Sequence, residues 1–228
     1  MPNQTLNNDN RAAGNVSAMA LPPRVMENGP TRTGSVPHVR RRAHSRCYPV
    51  GALVRRLDPA RDLIAAEGVL DVLDHYGIKA TFFMVGENAY KFPQGLAMVR
   101  NRGHRIGNHT YNHIGGLRHG VRSYMRNVDK ANILLQTDLF RPPHGWMKWD
   151  QYVFVKQRYR IVMWDLVTRD YSINLNGRDV LLNVRRYARN GSIITFHDSL
   201  RSEDKLLYAL PRAIEWLQSQ GYAFKVFP

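Results

Sequence analysis

The sequence is short of several residue types, and each shortage excludes a class of protein. One cysteine, Cys47, is present among 228 residues, so an intrachain disulfide cannot form. No apolar run approaches the roughly 20 residues that a membrane-spanning helix needs. The first residues, Met1 to Ala20, lack the basic start and apolar stretch of a secretion signal. We therefore expect no disulfide, no transmembrane segment and no export signal, and the localisation stays open.

Acidic residues are also scarce relative to basic ones. The chain has 33 Lys and Arg against 18 Asp and Glu, which gives a formal net charge of +15. This balance favours contact with anionic surfaces or polymers. A nucleic-acid or envelope-surface binder is therefore one interpretation, but it depends on charge alone, and we expect no nucleic-acid partner. The hydrophobic fraction of 43% indicates a globular protein.

Residues 1–47 lack Phe, Tyr, Trp and Lys, in contrast to the rest of the chain. They include the run Arg40-Arg41-Arg42 and show neither helical nor strand periodicity. Such a segment cannot bury enough apolar surface to offset its ordering entropy, so we predict a disordered basic tail. Its arginines either anchor an anionic partner or are simply solvated. Residues 48–68 are interpreted as a degenerate lead-in, and residues 69–228 as the folded domain.

Beyond residue 69, helical and strand patterns alternate. Short apolar runs predict buried strands at residues 79–86, 104–109, 139–141, 160–165, 191–197 and 222–227. Between them, helical spacing predicts helices at residues 69–77, 123–136, 149–158, 179–189 and 204–220, and one helix that ends near Gly103. This alternation predicts right-handed crossovers and a parallel sheet, and so many units favour a barrel over an open sheet.

Polar clusters follow these strands, where functional groups of a parallel barrel collect. Two imidazoles four residues apart, His109 and His113, can converge on one divalent ion. A histidine beside carboxylates, such as His197, is typical of a general acid or base. The remaining clusters are Arg141-Pro-Pro-His-Gly145, Trp164-Asp165 with Arg169-Asp-Tyr171, and Asp198-Ser199 after His197. Each cluster alone has a structural explanation, but four at one barrel mouth favour an active site.

The order of these motifs resembles the polysaccharide deacetylase family (NodB homology, carbohydrate esterase family 4). The resemblance covers roughly residues 69–228 and rests on five stretches, Ala80-Thr-Phe-Phe83, Gly103-His-Arg-Ile-Gly-Asn-His-Thr-Tyr-Asn-His113, Arg141-Pro-Pro-His-Gly145, Trp164-Asp165 to Asp170, and Phe196-His-Asp198. It implies an α/β fold, a distorted and incomplete TIM-like (β/α) barrel, with a bound divalent metal, for which Zn²⁺ is the expected ion.

The resemblance also implies roles for individual residues. His109 and His113 would bind the metal, and His197 would be the general acid that protonates the leaving amine. Asp170 would orient His197. The other implied roles are tuning of the catalytic carboxylate by Arg141 and binding of the oxyanion by the backbone N–H of His144. Trp146 and Trp164, with Trp149 as a further candidate, could stack on sugar rings, although packing in the core or at the barrel rim is the favoured explanation of these residues.

One motif of the family is missing. No Thr-Phe-Asp-Asp-Gly-Pro stretch occurs, although it should supply the catalytic base and the third metal ligand shortly before residue 69. Asp62 or Glu67 could supply the missing carboxylate. The stretch Glu27-Asn-Gly-Pro30 resembles the Asp-Asp-Gly-Pro part of the motif only weakly and lies much earlier in the chain. We therefore expect a barrel that lacks its first strand, through deletion or a frameshift.

The expected function is metal-dependent removal of N-acetyl groups from glycans that contain N-acetylglucosamine, such as peptidoglycan or chitin-like chains. The missing motif leaves an alternative, which is a catalytically inactive relative that still binds glycan.

Overall fold

The computed structural model describes residues 45–46, 48–54, 59–199 and 202–227, with side chains from residue 67 onward. The predicted disordered tail lies outside this part of the chain, apart from Ser45–Arg46. Along the described helices, none is long and apolar enough to cross a bilayer.

The described residues form nine strands and seven α-helices in an alternating order. The strands are β1 Ser45–Arg46, β2 Tyr48–Val54, β3 Thr81–Met84, β4 Arg105–Asn108, β5 Leu139–Phe140, β6 Arg160–Ile161, β7 Leu166–Val167, β8 Ile193–Asp198 and β9 Tyr222–Ala223. The helices are α1 Pro59–His75, α2 Gly86–Lys91, α3 Pro93–Asn101, α4 Val121–Leu135, α5 Trp149–Val155, α6 Gly177–Tyr187 and α7 Glu203–Ser219.

Seven of the strands form one parallel sheet in the order β6-β5-β4-β3-β2-β8-β7. β1 and β9 form a separate parallel pair. The two edge strands of the described sheet, β6 and β7, are not hydrogen-bonded to each other. The arrangement agrees with the predicted incomplete barrel, and it places the carboxyl ends of all seven strands at one edge.

β2 corrects the expectation that the first barrel strand is absent. It pairs in parallel with β3 through Leu53 and Phe83, and with β8 through Val54 and Asp198. The strand therefore lies in the middle of the sheet. The sequence predicts only a lead-in to the barrel at residues 48–68. In the structure, residues 48–54 form this strand and residues 59–68 form the first turns of α1.

Local sequence explains where the elements begin and end. β3 is buried along its whole length, as expected of a central parallel strand. α4 buries Tyr124, Val128, Ala131 and Leu135 at helical spacing and ends at Gln136 in the left-handed conformation. α6 is capped at its N-terminus by Asn176, whose side chain accepts hydrogen bonds from the N–H groups of residues 178 and 179.

Candidate active site

The candidate site lies at the carboxyl ends of β4, β5 and β8. His109 directly follows β4, Arg141 directly follows β5, and His197 is the penultimate residue of β8. Because β4 pairs with β5 and β8 pairs with β2, these residues stand on strands that end at the same edge of the sheet. The prediction that strand ends gather the polar clusters therefore holds for these three positions.

His109 is held as a neutral imidazole with one nitrogen fixed. Its side chain is buried, and Nδ1 donates a hydrogen bond to the backbone carbonyl of Arg141 over 2.7 Å. Nε2 is consequently the nitrogen that carries the lone pair, and it bonds to none of the described groups. Burial, reinforced by His113, lowers the pKa of His109 well below its ordinary value. A buried, neutral imidazole with one nitrogen anchored to a carbonyl is typical of a metal ligand.

Two further histidine rings lie next to His109. The ring centroids of His109 and His113 are 4.9 Å apart, and those of His113 and His144 are also 4.9 Å apart. His113 and His144 both adopt left-handed backbone conformations, with φ of 56° and 60°. Thr110 and Arg169 near the site share this conformation. Non-glycine residues in this region are strained, and such strain concentrates at functional sites.

His197 and Asp170 form the predicted dyad. Nδ1 of His197 lies 2.7 Å from Oδ1 of Asp170, and Oδ2 of the same carboxylate accepts the backbone N–H of His197 over 2.6 Å. Asp170 is fully buried, while the His197 side chain remains 15% exposed. The carboxylate therefore fixes the ring through Nδ1 and leaves Nε2 to exchange a proton, as in other histidine–carboxylate pairs.

Tyr171 is a further neighbour of the dyad, and the sequence pattern predicts no role for it. Its ring meets the His197 ring edge-on, with centroids 4.7 Å apart. The Tyr171 N–H also donates to Oδ1 of Asp170 over 3.1 Å. The signal in the sequence was its place directly after Asp170, but side-chain contact with His197 depends on the fold of two distant strands.

Arg141 is a buried cation whose described partners are all neutral. Its guanidinium donates to the carbonyls of Val162 and Met163 and to Oγ1 of Thr195 over 3.1–3.3 Å. It also lies over the Phe83 ring at 4.0 Å. Desolvation lowers the pKa of Arg141 to about 9. A buried charge without an opposite charge is costly, so this position suits a nearby carboxylate.

The two predicted sugar-stacking tryptophans differ in exposure. Trp146 is 48% exposed and follows the turn that holds His144. Trp164 is half-buried, close to Gly145 and 5.5 Å from the Arg141 guanidinium. Trp146 can therefore be reached by a ligand more readily, and Trp164 serves packing as well.

Asp165 does not join the site, contrary to its grouping with the strand-end clusters. Its carboxylate accepts the N–H of Ile193 over 2.6 Å and the hydroxyl of Ser192 over 2.9 Å, at the start of β8. It therefore lies at the opposite end of the strand from His197 and stabilises the sheet there.

Two histidines of the site are candidate metal ligands. Within the part of the chain whose side chains are described, no three His, Cys, Asp or Glu residues are placed to hold one ion. His109 fits such an ion by its burial and lowered pKa, and the ring of His113 lies next to it, with centroids 4.9 Å apart.

Comparison with known proteins identifies the family and the fold. A sequence model described as polysaccharide deacetylase matches residues 65–157. A peptidoglycan-N-acetylglucosamine deacetylase of Bacillus cereus is 30% identical over 194 residues, which cover 82% of this chain and 70% of that protein. The chain belongs to the polysaccharide deacetylase family. Members of this family are generally metal-dependent.

Two further deacetylases are similar to this chain in sequence or in structure. The peptidoglycan-N-acetylmuramic acid deacetylase PdaA of Bacillus subtilis is 30% identical over 69% of this chain and 62% of its own length. A solved peptidoglycan N-acetylglucosamine deacetylase, in complex with 4-naphthalen-1-yl-N-oxidanyl-benzamide, superimposes with a TM-score of 0.71 at 29% identity, over 81% of this chain and 92% of that structure.

The same fold also occurs in a protein described as a pseudoenzyme. That protein, from Bacillus anthracis, superimposes with a TM-score of 0.70 at 20% identity, over 81% of this chain and 64% of its own. The fold by itself therefore does not establish catalysis. At the end of β2, the six residues after Leu53 read Val-Arg-Arg-Leu-Asp-Pro.

Proposed function

We propose that this chain removes N-acetyl groups from glycans that contain N-acetylglucosamine, with a divalent ion, expected to be Zn²⁺, held by His109 and His113. The observation that carries the proposal is the His197–Asp170 dyad with its 2.7 Å contact, at the same sheet edge as the histidine pair. The peptidoglycan deacetylases similar to this chain support the choice of substrate class.

The dyad supplies the acid for departure of the amine. Asp170 keeps the hydrogen on Nδ1 of His197, so Nε2 can carry a second proton and deliver it to the sugar nitrogen as the C–N bond breaks. The buried carboxylate also stabilises the imidazolium form that precedes this transfer. The bound ion would polarise the acetyl carbonyl and lower the pKa of a water molecule.

Other residues of the site would position the acetyl group. Trp146 borders the mouth and offers a flat surface to the sugar ring. The backbone N–H of His144, in its left-handed turn, is the proposed donor to the oxyanion. Arg141 would hold a carboxylate, and none of its described contacts is one.

The absence of the Thr-Phe-Asp-Asp-Gly-Pro motif lowers the rate of deacetylation that we expect. In the register that sets the motif's proline at Pro59, Arg56 and Leu57 stand where the family has its two carboxylates, so water attack would proceed without that general base. Loss of a general base lowers the rate by roughly 10²- to 10⁴-fold. We therefore expect slow, metal-dependent deacetylation.

A second candidate function is glycan binding without catalysis. It is favoured by one observation, that the described side chains offer two metal ligands where a catalytic zinc site has three. The retained dyad and the exposed Trp146 would then be part of a sugar-binding cleft.

Acetate release from an N-acetylglucosamine hexamer separates the two candidates. The full chain would be assayed with Zn²⁺ and with a chelator, beside the His109→Ala variant. Slow release that requires both the metal and His109 supports the deacetylase. Hexamer binding with no acetate release supports the inactive binder, and neither binding nor release contradicts both.

A further inference from the structure

Gln151 in α5 is a fully buried polar side chain that the proposed chemistry does not use. Its Nε2 donates to the carbonyls of Gly116 and His119, each over 2.9 Å. Its Oε1 accepts the backbone N–H of Lys148, also over 2.9 Å. Hydrogen bonds in a buried, low-dielectric environment are stronger than those in water. One amide therefore ties the start of α5 to a loop 32 and 35 residues earlier in the chain.

The two stretches that Gln151 joins each follow a histidine of the candidate site. Residues 114–120 come directly after His113, and residues 145–148 come directly after His144. We call these stretches the His113 loop and the His144 segment. The two histidines have left-handed backbone conformations, with φ of 56° and 60°, and their ring centroids are 4.9 Å apart. A shift of the His113 loop relative to the His144 segment would therefore move one ring relative to the other.

The His113 loop and the His144 segment are in close contact at Gly116. A Cβ at this position would collide with Oε1 of Gln151 and with the backbone of Met147. The loop is also compact, because Nδ1 of His119 donates to the carbonyl of Gly115 over 2.8 Å. The contact therefore leaves no room for a side chain, and the bonds from Gln151 hold its two sides together.

Helix capping explains only one of the three bonds of Gln151. Its contact with the N–H of Lys148 is the return half of a capping box, which glutamine commonly provides at the third position of a helix. The two bonds to the His113 loop lie outside this motif. α5 does not need them for its packing, since Val155 anchors the helix in a separate apolar cluster. These two bonds therefore serve the loop.

We propose that Gln151 is a positioning residue for the metal site, which fixes the His113 loop against the His144 segment and thereby places the ring of His113 next to His109. This inference rests on the proposed function, because it concerns the ion that these two histidines would hold. His109 is anchored separately, through the carbonyl of Arg141. Loss of the bonds from Gln151 should therefore displace His113 and leave His109 in place.

Zn²⁺ binding to the full chain, measured by calorimetry, tests this role without any turnover. Gln151→Met keeps a side chain of similar length and removes all three hydrogen bonds. Val155→Ala, at another fully buried position of α5, is the matched control, because it weakens the packing of the helix and leaves the amide of Gln151 intact. Denaturant unfolding of each variant gives the accompanying change in the free energy of unfolding.

A second pair of variants approaches the same contact from the loop. Gly116→Ala should displace the His113 loop from Gln151, because its added methyl group has no room. Gly120→Ala, where a Cβ meets nothing within 4 Å, is the control in the same loop. If Gln151→Met does not fold, this pair decides the question by itself.

Gln151→Met and Gly116→Ala should each weaken Zn²⁺ binding about tenfold and alter the absorption spectrum of the Co²⁺-loaded protein, because residues that orient metal ligands typically contribute roughly 10- to 100-fold in affinity. Val155→Ala should lower the free energy of unfolding and leave both metal measurements unchanged, as should Gly120→Ala for the metal measurements.

Two results would overturn the inference and leave the proposed function intact. One is a Zn²⁺ affinity of folded Gln151→Met and Gly116→Ala equal to that of the wild-type chain. The other is an equal loss of Zn²⁺ affinity in Val155→Ala, which would make the effect one of general stability. Failure of the wild-type chain to bind Zn²⁺ would contradict the proposed function, and this inference with it.

Discussion

The carboxylate of Asp170 holds His197 at two points, accepting the backbone N–H through one oxygen and contacting the ring Nδ1 through the other, over 2.6 and 2.7 Å. The ring is thereby fixed relative to its own strand as well as to the loop of residues 169–171. This double contact supports the proposed roles of His197 as the acid and of Asp170 as the residue that positions it.

Asp170→Asn should lower acetate release by about 10²-fold or more, because an amide can stabilise the wrong tautomer and does not stabilise the imidazolium. Acetate release against pH, measured on folded protein, checks this prediction. Asp129→Asn is the control, since Asp129 pairs with Arg158 over 3.0 Å on the surface, away from the dyad. Equal losses in both variants would point to a general loss of stability and contradict the assigned role.

Metal binding should depend on the histidine pair. His109→Ala and His113→Ala should each weaken Zn²⁺ binding by at least about tenfold, because each removes one of the two proposed ligands. Calorimetry with Zn²⁺, together with the absorption spectrum of the Co²⁺-loaded protein, measures this without any turnover. The exposed His75 provides the control variant His75→Ala. Unchanged Zn²⁺ affinity in His109→Ala would place the metal elsewhere.

Acid should destabilise the fold in part through His104, which lies away from the active site. Burial lowers the pKa of His104 from 6.5 to about 4, and its Nδ1 accepts the N–H of Ala80 over 3.1 Å. The unfolded chain therefore binds this proton more tightly than the folded chain. The stabilisation is complete above the unfolded value of 6.5 and is lost as pH falls from there toward 4.

His104→Asn should flatten this dependence, because the amide retains an acceptor for Ala80 and does not titrate. Urea unfolding at several pH values between 7 and 4 measures the difference, with a slope of at most about 1.4 kcal/mol per pH unit for one proton. The control is His75→Asn, at an exposed position. If the free energy of unfolding of His104→Asn depended on pH as steeply as that of the wild-type chain, protonation of His104 would not be the cause of the acid destabilisation.

Gly107 in β4 should be indispensable for packing against the neighbouring strand. A Cβ at this position would collide with the ring of Phe83, which is fully buried. Gly107→Ala should therefore reduce the free energy of unfolding by about 1–3 kcal/mol. Gly120→Ala, where a Cβ meets nothing within 4 Å, is the matched control for denaturant unfolding. Equal free energies of unfolding for the two variants would contradict this prediction, because they would show that Phe83 and the sheet accommodate the added methyl group.

Much of the fold and of the site could be predicted from the sequence because their signals are local. Apolar runs located β3, β4 and β8, and the spacing of polar residues after them located His109, His113 and His197. The structure brings the histidine pair together and joins His197 to Asp170, as predicted.

The rest depended on information that no local pattern carries. β2 was missed as a strand because its expected motif does not follow it, although its seven residues pair with both neighbours in the sheet. The apolar run before Asp165 predicts one strand that ends at Trp164 and Asp165, whereas β6 ends at Ile161 and β7 begins after Asp165. The contact of Tyr171 with His197 joins the turn that follows β7 to a residue of β8.

The most direct test of the central claim restores the missing carboxylates in place. Pro59 begins α1, and the five residues before it can be replaced without a change of length by Val54→Thr, Arg55→Phe, Arg56→Asp, Leu57→Asp and Asp58→Gly. A second variant with Arg56→Asn and Leu57→Asn in the same background is the control.

Acetate release from the N-acetylglucosamine hexamer with Zn²⁺ is the measurement. The account predicts that the carboxylate variant releases acetate about 10²- to 10⁴-fold faster than the wild-type chain, that the amide control does not, and that His197→Ala abolishes the gain. A folded carboxylate variant that binds Zn²⁺ but releases acetate no faster than the wild-type chain would contradict the account.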